Sequence, residues 1–256
     1  MLILASALVL LLVGSALIVF PHFASRSADL DAWTAEKIVT AREASKRENF
    51  LVAISCLTDV LRKNPRSSEA LALRGAAYLR MDRTDLALED ASQAILLDPC
   101  NAEAFQVQAL VYWGRDRNRA LGYFNRAVEL SPDNANFCFS RGLFYSETQD
   151  LVRALADFDR AIELNPTDAE VHVHRAILRI KLGDVARAWR DFDMAVASGT
   201  LDNRNRSCAH YYRGQIYLDQ EDLVSAKWEF ETSLSLSNAF AEDCRLALKQ
   251  CDAARR

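Results

Sequence analysis

The 256-residue sequence has no excess of basic residues, since 31 Lys and Arg stand against 35 Asp and Glu, for a formal net charge of −4. Proteins that bind nucleic acid nonspecifically usually carry a positive charge that displaces counterions from the phosphate backbone. We therefore expect no nucleic-acid binding.

The sequence also lacks the signatures of a disulfide framework and of common active sites. Its six cysteines include no Cys-x-x-Cys pair, and in a chain of this length they are expected to be reduced thiols in or beside helices. There is no GxxxxGKS or GxxxxGKT, no GxGxxG, no HExxH and no GxSxG pattern. Acidic residues are predicted to lie on solvated helix faces. We expect that the chain is not an enzyme and has no cofactor.

Prolines are few, but four of the five are evenly spaced. Pro65, Pro99, Pro132 and Pro166 are separated by 34, 33 and 34 residues. A period of this size is typical of stacked helix–turn–helix repeats, in which each unit buries its apolar face against its neighbours. Alignment on the prolines gives six units and a C-terminal capping helix: residues 34–67, 68–101, 102–134, 135–168, 169–206, 207–240 and 241–256.

Within the units, small residues recur at the eighth, twentieth and twenty-seventh positions, and Phe recurs at the twenty-fourth. These small residues are predicted to let successive helices approach closely. The unit at 135–168 contains a G-x-x-Y…A-x-x-x-F-x-x-A…P pattern formed by Gly142, Tyr145, Ala154, Phe158, Ala161 and Pro166. Over residues 34–240 the chain resembles the tetratricopeptide repeat family. This resemblance implies an all-α fold, a right-handed α-solenoid of helix–turn–helix repeats.

Two units depart from the family pattern. The first lacks the Gly and the Tyr, and the fifth has Arg179 in place of Tyr and Thr200 in place of Pro. We expect the first unit to be an atypical cap.

The resemblance also implies a binding groove, because positions 2, 5, 9, 12 and 13 of each unit usually line the concave face in that family. The residues placed there are mostly apolar, which implies a protein partner that binds as an apolar helix or extended peptide. The alternatives are that this register assigns some core residues to the groove, or that the capping helix or a second copy covers the stripe. The predicted groove residues are Leu79, Gln106, Leu110, Trp113, Phe139, Leu143, Val173, Ile177, Ile180, Tyr211, Gln215 and Leu218.

Two polar clusters are weaker candidates. The fourth position of successive units carries Cys138, His172 and His210, and Cys244 follows in the capping helix; equivalent positions on neighbouring helices lie too far apart for one ion, so no metal site is predicted. The second cluster has few acidic neighbours and is predicted to be a solvated turn, with docking to an acidic partner or to phospholipid left open. It consists of Arg115, Arg117, Arg119 and Arg126.

Residues 1–20 contain thirteen Leu, Ile, Val or Phe and no charged side chain, which is the length a helix needs to cross a bilayer. We predict a transmembrane helix or signal anchor at 1–24 and a polar linker at 25–33. A basic residue downstream, Arg26, favours a cytoplasmic repeat domain by the positive-inside rule. The function predicted from the sequence is a single-pass membrane-anchored scaffold. The alternatives are an exported or periplasmic scaffold with a cleaved signal, and a self-assembling structural protein.

Overall fold

The structure is a computed structural model that describes residues 30–254, and these residues form a succession of α-helices with no β-strand among them. The predicted all-α repeat fold is confirmed. The helices are α1 (residues 30–46), α2 (Phe50–Lys63), α3 (Ser68–Arg80), α4 (Thr84–Leu97), α5 (Ala102–Tyr112), α6 (Arg117–Leu130), α7 (Ala135–Glu147), α8 (Leu151–Leu164), α9 (Ala169–Lys181), α10 (Val185–Ala197), α11 (Asn203–Asp219), α12 (Leu223–Leu236), a short 3-10 helix (Asn238–Phe240) and α13 (Ala241–Ala254).

Helix starts are set by polar residues that accept hydrogen bonds from the first free backbone N–H groups. Asp150 accepts from the N–H of Arg153 ahead of α8, and Asp184 accepts from that of Arg187 ahead of α10. Such a cap contributes about 1 kcal/mol to helix stability. The repeated Asp or Asn before the second helix therefore fixes where each helix pair turns.

The turn inside a helix pair contains one residue in the left-handed region. Glu48, Asp82, Gln149 and Glu221 have φ between 58° and 66°, and Gly183 has φ of 81° at the equivalent place. The third unit lacks this residue, since its turn is one residue shorter than the others. The deletion therefore removes a residue from an exposed turn and leaves both helices intact.

The chain divides into two compact units, with described residues 30–115 in the first and 116–254 in the second. In each unit the predicted small positions lie in the core: Ala53 and Ala87 in the first and Ala154 and Ala188 in the second are 0 % exposed. In the second unit the aromatic partners at position 24 are buried to the same degree. They are Phe124, Phe158, Phe192 and Phe230, each at most 1 % exposed.

Position eight is small because it faces these phenylalanine rings. A Cβ added to Gly142 would lie 2.8 Å from the Phe158 ring, and one added to Gly214 would lie 2.6 Å from the Phe230 ring. The absence of a side chain therefore lets α7 pack closely on α8 and α11 on α12.

Two boundaries differ from the sequence prediction. Residues 203–206, the four by which the fifth unit exceeds 34 residues, form the first turn of α11, capped by Asp202, so this helix begins before the predicted sixth unit at 207. Residues 30–33, assigned to the linker, are already helical.

The predicted transmembrane helix at 1–24, like linker residues 25–29, lies outside the described residues. Among residues 30–254, none of the helices has the length and apolar character needed to cross a membrane.

Candidate functional site

In the second unit, the first helices of successive repeats lie side by side. Helix α9 contacts α7 on one side and α11 on the other. Each of these three first helices also packs on the second helix of its own repeat, which is α8 for α7, α10 for α9 and α12 for α11. Residues at equivalent positions on α7, α9 and α11 therefore follow one another across a single face. We call this face the inner strip and define it by Phe139, Leu143, Ile177, Ile180, Tyr211, Gln215 and Leu218.

The residues of the inner strip are all half-buried, so each side chain packs partly on the core and keeps part of its surface in solvent. Ile177 and Ile180 pack against the core that contains Phe192, and Tyr211 and Leu218 pack against the core that contains Phe230. Val173 differs, because it is 0 % exposed. Its side chain belongs to the core, so it is not part of the exposed surface.

The first unit carries the other predicted groove residues, on α3, on α5 and just beyond α5. Leu79, Gln106, Leu110 and Trp113 are half-buried, and Leu79 packs on the cluster formed by Ala87, Ala91, Val107 and Val111. Arg42 of α1 forms ion pairs with Glu69 at 2.9 Å and with Glu103 at 3.4 Å. Arg42 therefore pairs with two carboxylates of the same unit, which leaves one negative charge in this group of three.

Aromatic contacts link neighbouring repeats beneath the inner strip. The Phe139 ring lies 5.4 Å from the His174 ring, and Phe158 lies 6.4 Å from the same imidazole. This burial lowers the pKa of His174 to about 4, because the charged imidazolium would lose its hydration. His174 is therefore a neutral packing residue at physiological pH.

The C-terminal end of the inner strip is partly covered. Phe240 of the 3-10 helix stacks on Tyr211 with ring centroids 4.8 Å apart. The open part of the strip therefore lies mainly on α7 and α9 and on the later turns of α11.

A series of buried ion pairs, which sequence analysis missed, connects the repeats. The arginine at position seven of a repeat donates two hydrogen bonds to the acidic residue at position 23 of the same repeat. Arg74 binds Asp90, and Arg141 binds Asp157, with both contacts at 2.8 Å in each pair. Asp90 and Asp157 are only 5 % and 6 % exposed, so the prediction that acidic residues lie on solvated faces is wrong for them.

The same arginines also reach position 25 of the preceding repeat. In the first unit, Arg74 donates to Thr58 at 3.3 Å. In the second unit, Arg141 donates to Asn125 at 3.1 Å and Arg175 to Asp159 at 2.7 Å. We call these contacts the ion-pair ladder. Each rung fixes the two helices of one repeat and ties them to the previous repeat.

The fifth repeat strengthens its rung where its sequence departs from the family pattern. Arg179, which replaces the expected Tyr, donates to Asp191 at 2.8 Å, and Asp191 also accepts from Arg175 at 2.7 Å. Burial alone would raise the pKa of Asp191, but hydrogen bonds from His172 and Arg175 outweigh it and hold the pKa below its usual range. Arg179, at the position where the family pattern has Tyr, therefore gives the buried Asp191 carboxylate a second cationic partner.

The polar cluster of Cys138, His172, His210 and Cys244 contributes to packing and hydrogen bonding. His172 lies 3.3 Å from Asp191 through Nδ1 and 3.0 Å from the Pro166 carbonyl through Nε2, and His210 lies 2.6 Å from Glu229. Burial raises the pKa of the Cys138 thiol. Across residues 30–254, no group of three His, Cys, Asp or Glu side chains is placed to hold a metal ion.

The predicted basic cluster has more acidic neighbours than its sequence suggested. Within the second unit, Arg117 lies 3.6 Å from Glu147, and Arg126 lies 3.3 Å from Glu129. Arg115, in the first unit, lies 4.0 Å from Asp85. Each of these three arginines therefore has an acidic side chain within 4.0 Å, although all the side chains involved are exposed.

Comparison with solved structures gives the same fold. The chain is similar to pilF of Pseudomonas aeruginosa, at 19 % identity and a TM-score of 0.69, over 88 % of this chain and 99 % of that one. It is similar to TTC0263, a thermophilic TPR protein of Thermus thermophilus, at 21 % identity and a TM-score of 0.60, over 69 % and 96 % of the two chains. A third similar structure is that of YrrB, described as a TPR protein with an unusual peptide-binding site. The identity is 19 % and the TM-score 0.57, over 76 % of this chain and 96 % of that one.

A family model described as "Tetratricopeptide repeat" matches residues 39–104 and 106–169, which together make up just over half of the chain. This match agrees with the helix pairs, with the small residues at fixed positions and with the buried aromatic residue at position 24. The chain belongs to the tetratricopeptide repeat family.

Proposed function

We propose that this chain is a membrane-anchored scaffold and that a partner protein binds as an apolar helix or extended segment along the inner strip. The observation that carries the proposal is the continuity of half-buried apolar side chains across α7, α9 and α11. Apolar and aromatic side chains that already lose part of their hydration in the free protein are suited to act as anchors for a partner.

The fold supports binding as the role, since YrrB, of the same fold, was described with a peptide-binding site. The sequence contains no GxxxxGKS or GxxxxGKT, GxGxxG, HExxH or GxSxG pattern, so we propose a binding function for this chain and not a catalytic one.

The inner strip can be tested with a photo-crosslinking amino acid at position 143 on α7. We expect the full chain, in membranes from its own cells, to crosslink to a polypeptide that mass spectrometry maps to an apolar segment. The matched control places the same amino acid at Val152 of α8, which is 78 % exposed and lies outside the strip. Crosslinking at position 152 without crosslinking at 143 would contradict the proposal.

A second experiment separates binding from folding. The double variant Leu143→Gln, Ile177→Gln adds two polar groups to the strip, and we expect it to lose the crosslinked partner. The control variant Val152→Gln, Met194→Gln changes two residues that are 78 % and 55 % exposed on α8 and α10. Both variants must keep the helical circular dichroism of the wild type; retention of the partner by the first variant would refute the role of the strip.

The membrane part of the proposal rests on residues 1–20, which contain no charged side chain. An anchored protein meets other proteins of the same membrane at a raised effective concentration, which favours assembly there. In flotation with phosphatidylcholine vesicles, we expect the full chain to rise with the lipid and a chain that starts at residue 30 to remain below. Equal behaviour of the two chains would contradict an anchor.

A further inference from the structure

A cleft of about 440 Å³ lies in the second unit between α12 and the end of α13. It is distinct from the inner strip and shares no residue with it. We call it the C-terminal cleft; its lining is Glu221, Asp222, Leu223, Val224, Lys227, Trp228, Glu231, Cys251 and Asp252.

The cleft exposes apolar surface that the core does not require. Trp228 is 58 % exposed and Val224, four residues earlier on the same helix face, is 73 % exposed. One edge of the indole contacts the His210 ring, with centroids 5.9 Å apart, so the side chain is held in place while much of its surface remains free. A fixed, exposed Trp next to an aliphatic residue is a suitable anchor for a partner.

Acidic residues outnumber basic ones in the lining. It contains four acidic residues and a single basic residue, Lys227, and Lys227 is paired with Asp252 at 3.1 Å. Asp222 accepts hydrogen bonds from Ser225 as the cap of α12. Glu221 and Glu231 have no ion pair with any residue between 30 and 254, so they add negative charge that the described part of the chain does not neutralise.

The fold does not demand this acidic character. One repeat earlier, the equivalent junction between α10 and α11 holds a cleft of about 540 Å³ lined by Trp189, Arg190 and Tyr217 among others. There the Trp189 ring packs edge-on against Tyr217 at 4.9 Å, and Arg213 lies over its face at 4.8 Å. The two clefts therefore form at equivalent junctions between repeats, but the lining of one is acidic and the lining of the other contains one Arg and no acidic residue.

We propose that the C-terminal cleft docks a cationic, apolar segment of a partner protein. Lys or Arg side chains of that segment pair with Glu221 and Glu231, the one at Glu231 lying against Trp228 three residues earlier on the same helix, and a neighbouring aliphatic side chain packs on Val224. Charge complementarity and the attraction between a cation and an indole ring act together at this position.

The test uses the four Trp indole N–H resonances of the full chain in detergent, with Trp228→Phe to assign the signal of interest. The probe is an acetylated, amidated hexapeptide that alternates lysine and leucine. Matched hexapeptides carry serine or glutamate in place of lysine. We expect the lysine peptide to shift the Trp228 resonance and to leave that of Trp189, in the equivalent cleft, unchanged.

Charge and salt provide the controls. Glu221→Gln, Glu231→Gln should weaken binding by about tenfold, since two ionic contacts are lost. The matched variant Glu129→Gln, Glu163→Gln, which neutralises two exposed acids elsewhere in the unit, should not change it. Raising the salt from 0.1 to 1 M should weaken binding to a similar extent, because the screening length falls from about 10 to about 3 Å.

Three results would overturn the proposal. The first is an equal shift with the glutamate peptide, and the second is no Trp228 shift at millimolar lysine peptide. The third is equal binding of the lysine peptide by the variant Glu221→Gln, Glu231→Gln, which would show that the acidic lining does not attract the segment.

Discussion

Removing one partner of the Arg141–Asp157 pair should destabilise the protein as much as, or more than, removing both. Arg141 donates to the Asp157 carboxylate twice at 2.8 Å, and 9 % of the Asp157 side chain is exposed. Loss of one charge from a buried pair costs about 3–5 kcal/mol, since the other stays buried without a partner. Because 20 % of the Arg141 side chain is exposed, water can reach part of the guanidinium, and we expect about 3 kcal/mol for Asp157→Leu.

The double variant separates the interaction between Arg141 and Asp157 from the interactions that each makes with the rest of the protein. Arg141→Met alone should cost at least about 3 kcal/mol, because it leaves the more deeply buried Asp157 carboxylate without its cation, whereas the double variant Arg141→Met, Asp157→Leu should cost only about 2 kcal/mol, because no buried charge is left unpaired. The hydrogen bond from Arg141 to Asn125 is lost in both. The interaction free energy from this cycle is therefore about 4 kcal/mol.

Urea unfolding followed by circular dichroism at 222 nm measures all four free energies of unfolding, and the denaturant slopes must agree for the cycle to hold. The exposed pair Arg160–Glu163, at 3.0 Å with side chains 49 % and 66 % exposed, is the control and should give below about 0.5 kcal/mol. Additive effects of Arg141→Met and Asp157→Leu would refute the reasoning, since the rung would then contribute no more than a surface pair.

Two further predictions concern packing in the same unit. Because burial lowers the pKa of His174 to about 4 while the unfolded chain binds a proton near its ordinary value of 6.5, the protein should lose about 3 kcal/mol of stability as the pH falls from 6.5 to 4. His174→Gln should remove that part of the pH dependence. If the difference in free energy of unfolding between the wild type and His174→Gln is the same at pH 7 and at pH 4, this prediction is wrong. Gly122→Ala should stabilise the protein by about 1 kcal/mol through helix propensity, since an added Cβ there meets nothing within 4 Å. Gly142→Ala should destabilise the protein by about 1 kcal/mol, because its Cβ would lie 2.8 Å from the Phe158 ring. If thermal unfolding shows Gly142→Ala to be more stable than Gly122→Ala, this packing argument is wrong.

The fold could be predicted from the sequence because its signal is local and periodic. Proline spacing, small residues at positions 8, 20 and 27, and Phe at position 24 each follow from close packing of two successive helices. The structural place of the four extra residues of the fifth unit, 203–206, was not predicted, for the opposite reason. They interrupt the period, but an Asp cap at 202 lets those residues extend α11.

The ion-pair ladder was missed although its signal is present in the sequence. Arg74, Arg141 and Arg213 each stand directly before the Gly of position eight, and acidic residues recur sixteen places later. Treating all acidic residues as solvated hid this period, since burial of a carboxylate depends on a partner from another helix. The C-terminal cleft could not have been foreseen, because it depends on which side chains α13 brings to the end of α12.

The ladder also explains how repeats of one architecture can bind different partners. Positions 7, 23 and 25 join neighbouring repeats, and they lie apart from positions 5, 9 and 12, which form the inner strip. The third repeat shows that a rung can change its chemistry, since Gln108 donates to Ser92 at 3.0 Å where other repeats use Arg. Because positions 7, 23 and 25 supply cohesion between repeats, a change in the inner strip that suits a new partner removes only the contacts that strip residues such as Phe139 add.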